Sequence, residues 1–143
     1  MKILALVLIL ATSTSGQPAP PSVAGFWTAQ FEGHTFLRLE LKSVNGAITG
    51  GMSIGDIEVD QQGGLRRVKE APSDLTPISD VTDHQSRLTF SRKDGDGDDT
   101  DRFELRVIDA SHAELTFLLS DAAREDLAAN GVPVPKPIAL SKQ

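Results

Sequence analysis

The stretch AGFWTAQFEGHTF, residues 24–36, decides the fold. It holds the chain's one tryptophan, two residues after a glycine, at the head of an alternating run. Trp27, Ala29 and Phe31 fall on one face, and Thr28, Gln30 and Glu32 on the other. A period of two marks a strand with one buried face. Gly33-His34 then reads as a short turn. The stretch opens a small β-barrel, and the question it poses is whether that barrel is hollow or packed.

Outward from it the same period continues. TFLRLELKSV points Leu37, Leu39 and Leu41 inward and Arg38, Glu40 and Lys42 outward. Asn45-Gly46 is a hairpin signal, because both residues tolerate the positive φ of a type I′ turn. AITGGMSIG resumes with Ile48, Met52 and Ile54 in phase, and its Gly50-Gly51 predicts a bulge or a sharp bend. DIEVDQ either continues that strand or starts a fourth. Residues 63–85 read as a loop with one or two short strands near Ile78 to Val81. SRLTFSRK, RFELRVI and AELTFLLS follow as strands, separated by the acidic turn DGDGDDTD and by DASH. SDAAREDLAANG, residues 120–131, breaks the pattern: an Ala-rich helix of about two to three turns, with Ser120 or Asp121 as N-cap and Asn-Gly as the stop. It is expected to plug a barrel end or cover a sheet edge. VPVPKP runs extended, and IALS pairs back as the last strand.

The N-terminus carries a different signal. Met1-Lys2 is a short basic start, ILALVLILA is an apolar run, and TSTSGQ is small and polar. That order is a secretory signal peptide. Its nine apolar residues span only about 14 Å as a helix, well short of the ~30 Å hydrocarbon core. The expected division is a signal peptide over 1–16, a Pro-rich lead-in over 17–24 and a barrel domain over 25–143. The product is expected to be secreted or periplasmic. No cysteine is present, so neither a lipoprotein anchor nor a disulfide framework is available, and the domain must rely on packing. The formal net charge is −6, which argues against nucleic acid and anionic membrane surfaces as partners.

The inward positions continue through Leu88, Phe90, Phe103, Leu105, Val107, Leu115, Phe117 and Leu119. None of the inward positions is polar, whereas a catalytic cleft gathers titratable groups. The outward Arg38, Glu40, Lys42, Arg87, Arg102, Glu104, Arg106 and Glu114 mix signs and read as cross-strand pairs on a solvated face. An apolar interior is either core or cavity, and barrels of about eight strands sit near that boundary.

Gly25-Phe26-Trp27 matches the G-x-W that opens lipocalins and avidin-like barrels, the calycin group. Through Gly46 to Gly50 (GAITG) the chain resembles the first three strands of an avidin-type barrel, over about 30 residues. The resemblance implies that Trp27 closes the barrel floor and that a basic residue from the last strand lies over it. By position that residue is Lys142. Avidin-like biotin pockets use several Trp and Tyr; this chain has one Trp and no Tyr, so biotin binding by that route is not expected. A looser likeness is to small exported bacterial β-proteins of unassigned function.

Other constellations carry less. Asp94, Asp96, Asp98, Asp99 and Asp101 cluster in the acidic turn. An EF-hand would need Gly and Glu at the sixth and twelfth positions, where Asp99 and Leu105 stand. At most a weak Ca²⁺ site involving Asp94, Asp96 and Asp98 is expected, against the plainer reading of a solvated hairpin tip. His34, His84 and His112 lie apart, with no metal-ligand spacing. LRRVKE, residues 65–70, is the densest basic patch and reads as a charge-guarded strand edge, with an anionic ligand or partner as the alternative.

The sequence therefore predicts an all-β fold: a single antiparallel barrel or strongly curved sandwich of about 8–10 short strands, with one short helix before the last strand. The expected function is non-enzymatic: an exported, monomeric binding module for a small apolar ligand. A surface-acting module for a protein partner is the alternative and an exported hydrolase the third reading. No cofactor and no catalytic residue are expected. Trp27, Phe31, Leu39, Phe90, Phe103 and Phe117 are the candidate ligand-binding residues.

Overall fold

Two pairs of residues with positive φ set the first three strands. Glu32 (φ 50°) and Gly33 (φ 83°) join β1 (Gly25–Phe31) to β2 (His34–Val44), and Asn45 (φ 52°) and Gly46 (φ 79°) join β2 to β3 (Ala47–Ile54). Both are two-residue turns whose twist matches that of the strands they connect. The computed structural model describes residues 22–93 and 99–143. The expected signal peptide and Asp94, Asp96 and Asp98 lie outside the described residues.

Seven further strands follow: β4 (Ile57–Val59), β5 (Leu65–Val68), β6 (Thr76–His84), β7 (Arg87–Lys93), β8 (Thr100–Val107), β9 (His112–Phe117) and β10 (Ile138–Lys142). One helix, α1 (Asp121–Ala129), precedes β10. Eight strands close an antiparallel barrel in the order β1-β10-β9-β8-β7-β6-β3-β2, and β4 and β5 form a separate two-stranded hairpin. Two seams are short. At β1–β10 Trp27 faces Lys142 and Thr28 faces Ser141; at β3–β6 Gly51 faces Pro77 and Met52 faces Thr76.

Alternation places the core as its period demands. Trp27, Leu37, Leu39, Met52, Leu88, Phe90, Phe103, Leu105 and Leu115 are each 0% exposed. None of these side chains reaches solvent, and they form one contiguous apolar core around Trp27. Val23, Ala113, Ile138 and Leu140 join this cluster, while Phe31, Ile48, Ile54 and Phe117 pack against it half-buried.

Three local departures have physical causes. Phe36 is buried beside Leu37, which strict alternation forbids. The β1–β2 register shifts between Ala29 and Gln30, so Phe36 is the extra residue of a bulge and turns inward as well. Gly50 and Gly51 make no bulge: pairing with β2 runs unbroken from Leu37–Ile54 to Val44–Ala47. The glycine is needed because a Cβ at Gly50 would collide with the Glu40 carbonyl oxygen. Residues 63–85, expected as a loop with one or two short strands near Ile78 to Val81, hold β5 and a longer strand, the nine-residue β6. In β6, Asp80 has φ 50° at a register shift between Ser79 and Thr82, so Ile78 and Val81, three apart in sequence, both pack against the core.

Outside, Arg106 donates to Glu114 at 2.8 Å across β8–β9, and Arg87 approaches Glu104 at 3.9 Å. Both pairs are exposed and contribute little. Among the described residues Arg92, 8% exposed and opposite Asp101, is the one buried charged side chain. It follows Leu88 and Phe90 in phase, so alternation turns it toward the interior, a polar exception to the apolar face read from sequence. No described helix is long and apolar enough to cross a membrane.

Candidate functional site: a cleft at the hairpin end of the barrel

The two ends of the barrel differ in what closes them. At one end β1 begins and β10 finishes. Trp27 Nε1 donates to the Val23 carbonyl at 2.9 Å, which draws the lead-in under the indole. Lys142 Nζ lies 5.2 Å from the centre of the Trp27 ring, within cation–π range. The first glycine of G-x-W sits beside this contact. Gly25 has φ 142°, a conformation that L side chains rarely adopt, and a Cβ there would also displace the far end of the Lys142 side chain that crosses to the indole. Beyond it, Gln143 donates from its backbone to Phe26 and from Nε2 to Thr28 Oγ1 at 2.8 Å. This end is sealed by main chain and side chain together.

The opposite end receives the long connections. After β3, Gly55 N–H bonds the Phe36 carbonyl and the chain turns out into β4–β5. The hairpin tip is an Asx turn: Asp60 Oδ1 accepts from the amides of Gln62 and Gly64 at 2.9 and 3.0 Å. Residues 132–137 run back across this tip, and Lys136 N–H bonds the Gly63 carbonyl at 2.9 Å. Gly63 has φ 83°, and a Cβ there would collide with the Val134 carbonyl, so a glycine is required where the strap meets the hairpin.

Helix α1 starts at Ser120, whose Oγ accepts from Ala123 N–H at 3.1 Å, and stops at Asn130. It buries none of its residues. Of the two roles expected for it, plugging a barrel end or covering a sheet edge, a buried plug is not what it forms. Its single Leu127, too little apolar surface for a core face, leans half-buried over a cleft instead.

That cleft measures about 520 Å³, within the usual range for small-molecule sites. Ile57 and Val59 of β4 form one wall, and Leu127, Val132, Pro133 and Pro135 the other. Phe117 and Leu119 line it from the end of β9, and Glu58 and Arg66 are its charged residues. Glu58 is engaged by Arg67 at 3.8 Å. A second recess, lined by Gln61, Arg124, Leu127, Ala128 and residues 131–134, shares Leu127, Val132 and Pro133 with it.

An aromatic column joins core and cleft. Phe90 and Phe103 stack at 5.5 Å, and Phe103 and Phe117 meet at 5.2 Å. Of the six residues singled out from sequence, Trp27, Leu39, Phe90 and Phe103 have no accessible surface, Phe31 packs half-buried on the core, and Phe117 alone lines the cleft. The other cleft walls escaped the sequence reading. Their signal was available: IEV and VPVPKP carry apolar residues with no place on a barrel face.

Titratable groups gather elsewhere and in pairs. His112 Nδ1 lies 2.8 Å from Asp109 Oδ1, and the Ser111 amide donates to the same carboxylate. The amide first, and His112 second, hold Asp109 below the ordinary aspartate range. His34 Nδ1 approaches Glu70 at 3.2 Å at the opposite end of the barrel. Among the described residues no group of three or more His, Asp or Glu could hold a metal ion. The chain matches no family model, no curated protein and no solved structure.

Proposed function

We propose that this protein is an exported, non-enzymatic binding module of calycin type that takes a small apolar ligand in the cleft at its hairpin end. The observation that carries the reading is the contrast between a core closed to solvent around Trp27 and an apolar cleft of about 520 Å³ open at the hairpin end. A packed barrel has no use for eight apolar residues facing an unfilled cleft at one end unless something covers them. Lys142 over Trp27, in the G-x-W setting, supports the calycin-type part of the reading. The basic start and apolar run at residues 1–11 support export, which intact-mass measurement of the protein from its source tests.

The experiment is a titration with Nile red, a neutral apolar dye. Saturable binding at one dye per chain, lost in Val132→Asp and Leu127→Asp, is the expected result. Binding that is absent, or that survives both substitutions, overturns the cleft as a ligand site. One observation favours a second reading, a surface for a protein partner: Leu118, Val132 and Val134 are 36%, 40% and 41% exposed at the same end. The two part on partner size, since a protein partner buries the outer surfaces of these three residues and a small ligand leaves Leu118 and Val134 open.

A further inference from the structure

We infer that the ligand of this cleft is an anionic amphiphile, an apolar body ending in a carboxylate, held at that end by Arg66. The inference rests on the cleft reading above and adds the chemical class. Arg66 is exposed on β5 and lines both the cleft and a smaller recess formed with Val59, Asp60, Gln61 and Gly131 to Pro133. It has no hydrogen bond or ion pair among the described residues, whereas its neighbours are paired: Arg67 with Glu58 at 3.8 Å and Lys69 with Asp56 at 3.3 Å.

The carboxylates on these walls are engaged as well. Glu58 faces Arg67, and Asp60 Oδ1 accepts the two amides of its own turn. Along the connected recess Arg124 is a second cation without a described partner. In a chain of net charge −6, unpaired cations beside an apolar wall invert the overall sign at one place. A guanidinium suits a carboxylate, because its fork donates two parallel hydrogen bonds. An exposed pair in water contributes little, but an apolar tail lying along Ile57, Val59 and Val132 lowers the water content around the head group.

The test uses three ten-carbon probes: decanoate, 1-decanol and decyltrimethylammonium, titrated calorimetrically into the full domain. Decanoate is expected to bind about tenfold more tightly than decanol, with the cation weakest. Arg66→Gln should bring the decanoate-to-decanol ratio to about one, and Arg66→Lys should keep most of the preference. Equal binding of decanoate and decanol to the unsubstituted protein, or a preference that survives Arg66→Gln, overturns the role of Arg66 while leaving an apolar cleft. Binding of none of the three overturns the cleft reading and this inference together.

Discussion

The Trp27 end and the hairpin end of the barrel are closed by opposite means. At the first, strands meet through tight turns, and the lead-in and C-terminus lie across a fully buried indole. At the second, residues 55–75 and 118–137 leave the barrel as a hairpin, a helix and a strap that bury little. At the first end side chains and main chain close together over the buried indole. At the second the strap is tied to the hairpin through the backbone, at Lys136 N–H to the Gly63 carbonyl. A protein gains stability from the first kind and adaptable surface from the second.

Substitutions on either side sharpen this contrast. The largest effect is expected at Trp27. Trp27→Ala empties a fully buried site and should cost about 3–5 kcal/mol in urea unfolding. A cost below about 1 kcal/mol would mean that this end is not packed. Next is Gly25→Ala, expected to cost about 1–3 kcal/mol because the new methyl meets the Lys142 stem at an unfavourable φ. Part of that cost should vanish in a Lys142→Ala background, a coupling of at least about 0.5 kcal/mol. Additive costs would show that the lysine does not dictate the glycine. The smallest effect on stability, about 1 kcal/mol, is expected for Gly63→Ala at the other end. Its signature is separate: Nile red binding weakens as the strap lifts, while Trp27 emission stays where it was. An unchanged dye affinity would detach the strap from the site.

The same contrast explains what could be read from the sequence. β1 to β3 were legible because their signals are local: period-two alternation, and Asn45-Gly46 at a turn that needs positive φ. The helix was legible from its caps, Ser120 and Asn130-Gly131. β6 was legible only as a short strand near Ile78 to Val81, because the bulge at Asp80 breaks the period of two and Pro77 argues against a strand. Phe36 was missed for the same kind of reason, a bulge that moves one residue to the other face. Gly50-Gly51 predicts a bulge or a sharp bend, yet the need for glycine at position 50 comes from the backbone of Glu40 on the neighbouring strand. The cleft was illegible as a unit, since its walls come from β4, β5, the end of β9, α1 and the strap. β5 contributes Arg66 alone and each of the others one to three apolar residues, and no spacing in the chain joins them.

Trp27 is the only indole, and it sits in the packed end rather than at the cleft. The most direct measurement therefore follows two signals in one titration with decanoate: Trp27 emission and backbone amide chemical shifts. The account predicts a blue-shifted Trp27 emission that does not change at saturation, with amide shifts concentrated at Ile57, Val59, Arg66, Leu127 and Val132. A saturable change in Trp27 emission at one ligand per chain, with shifts at Leu39, Phe90 and Phe103, would put the ligand inside the barrel and contradict it.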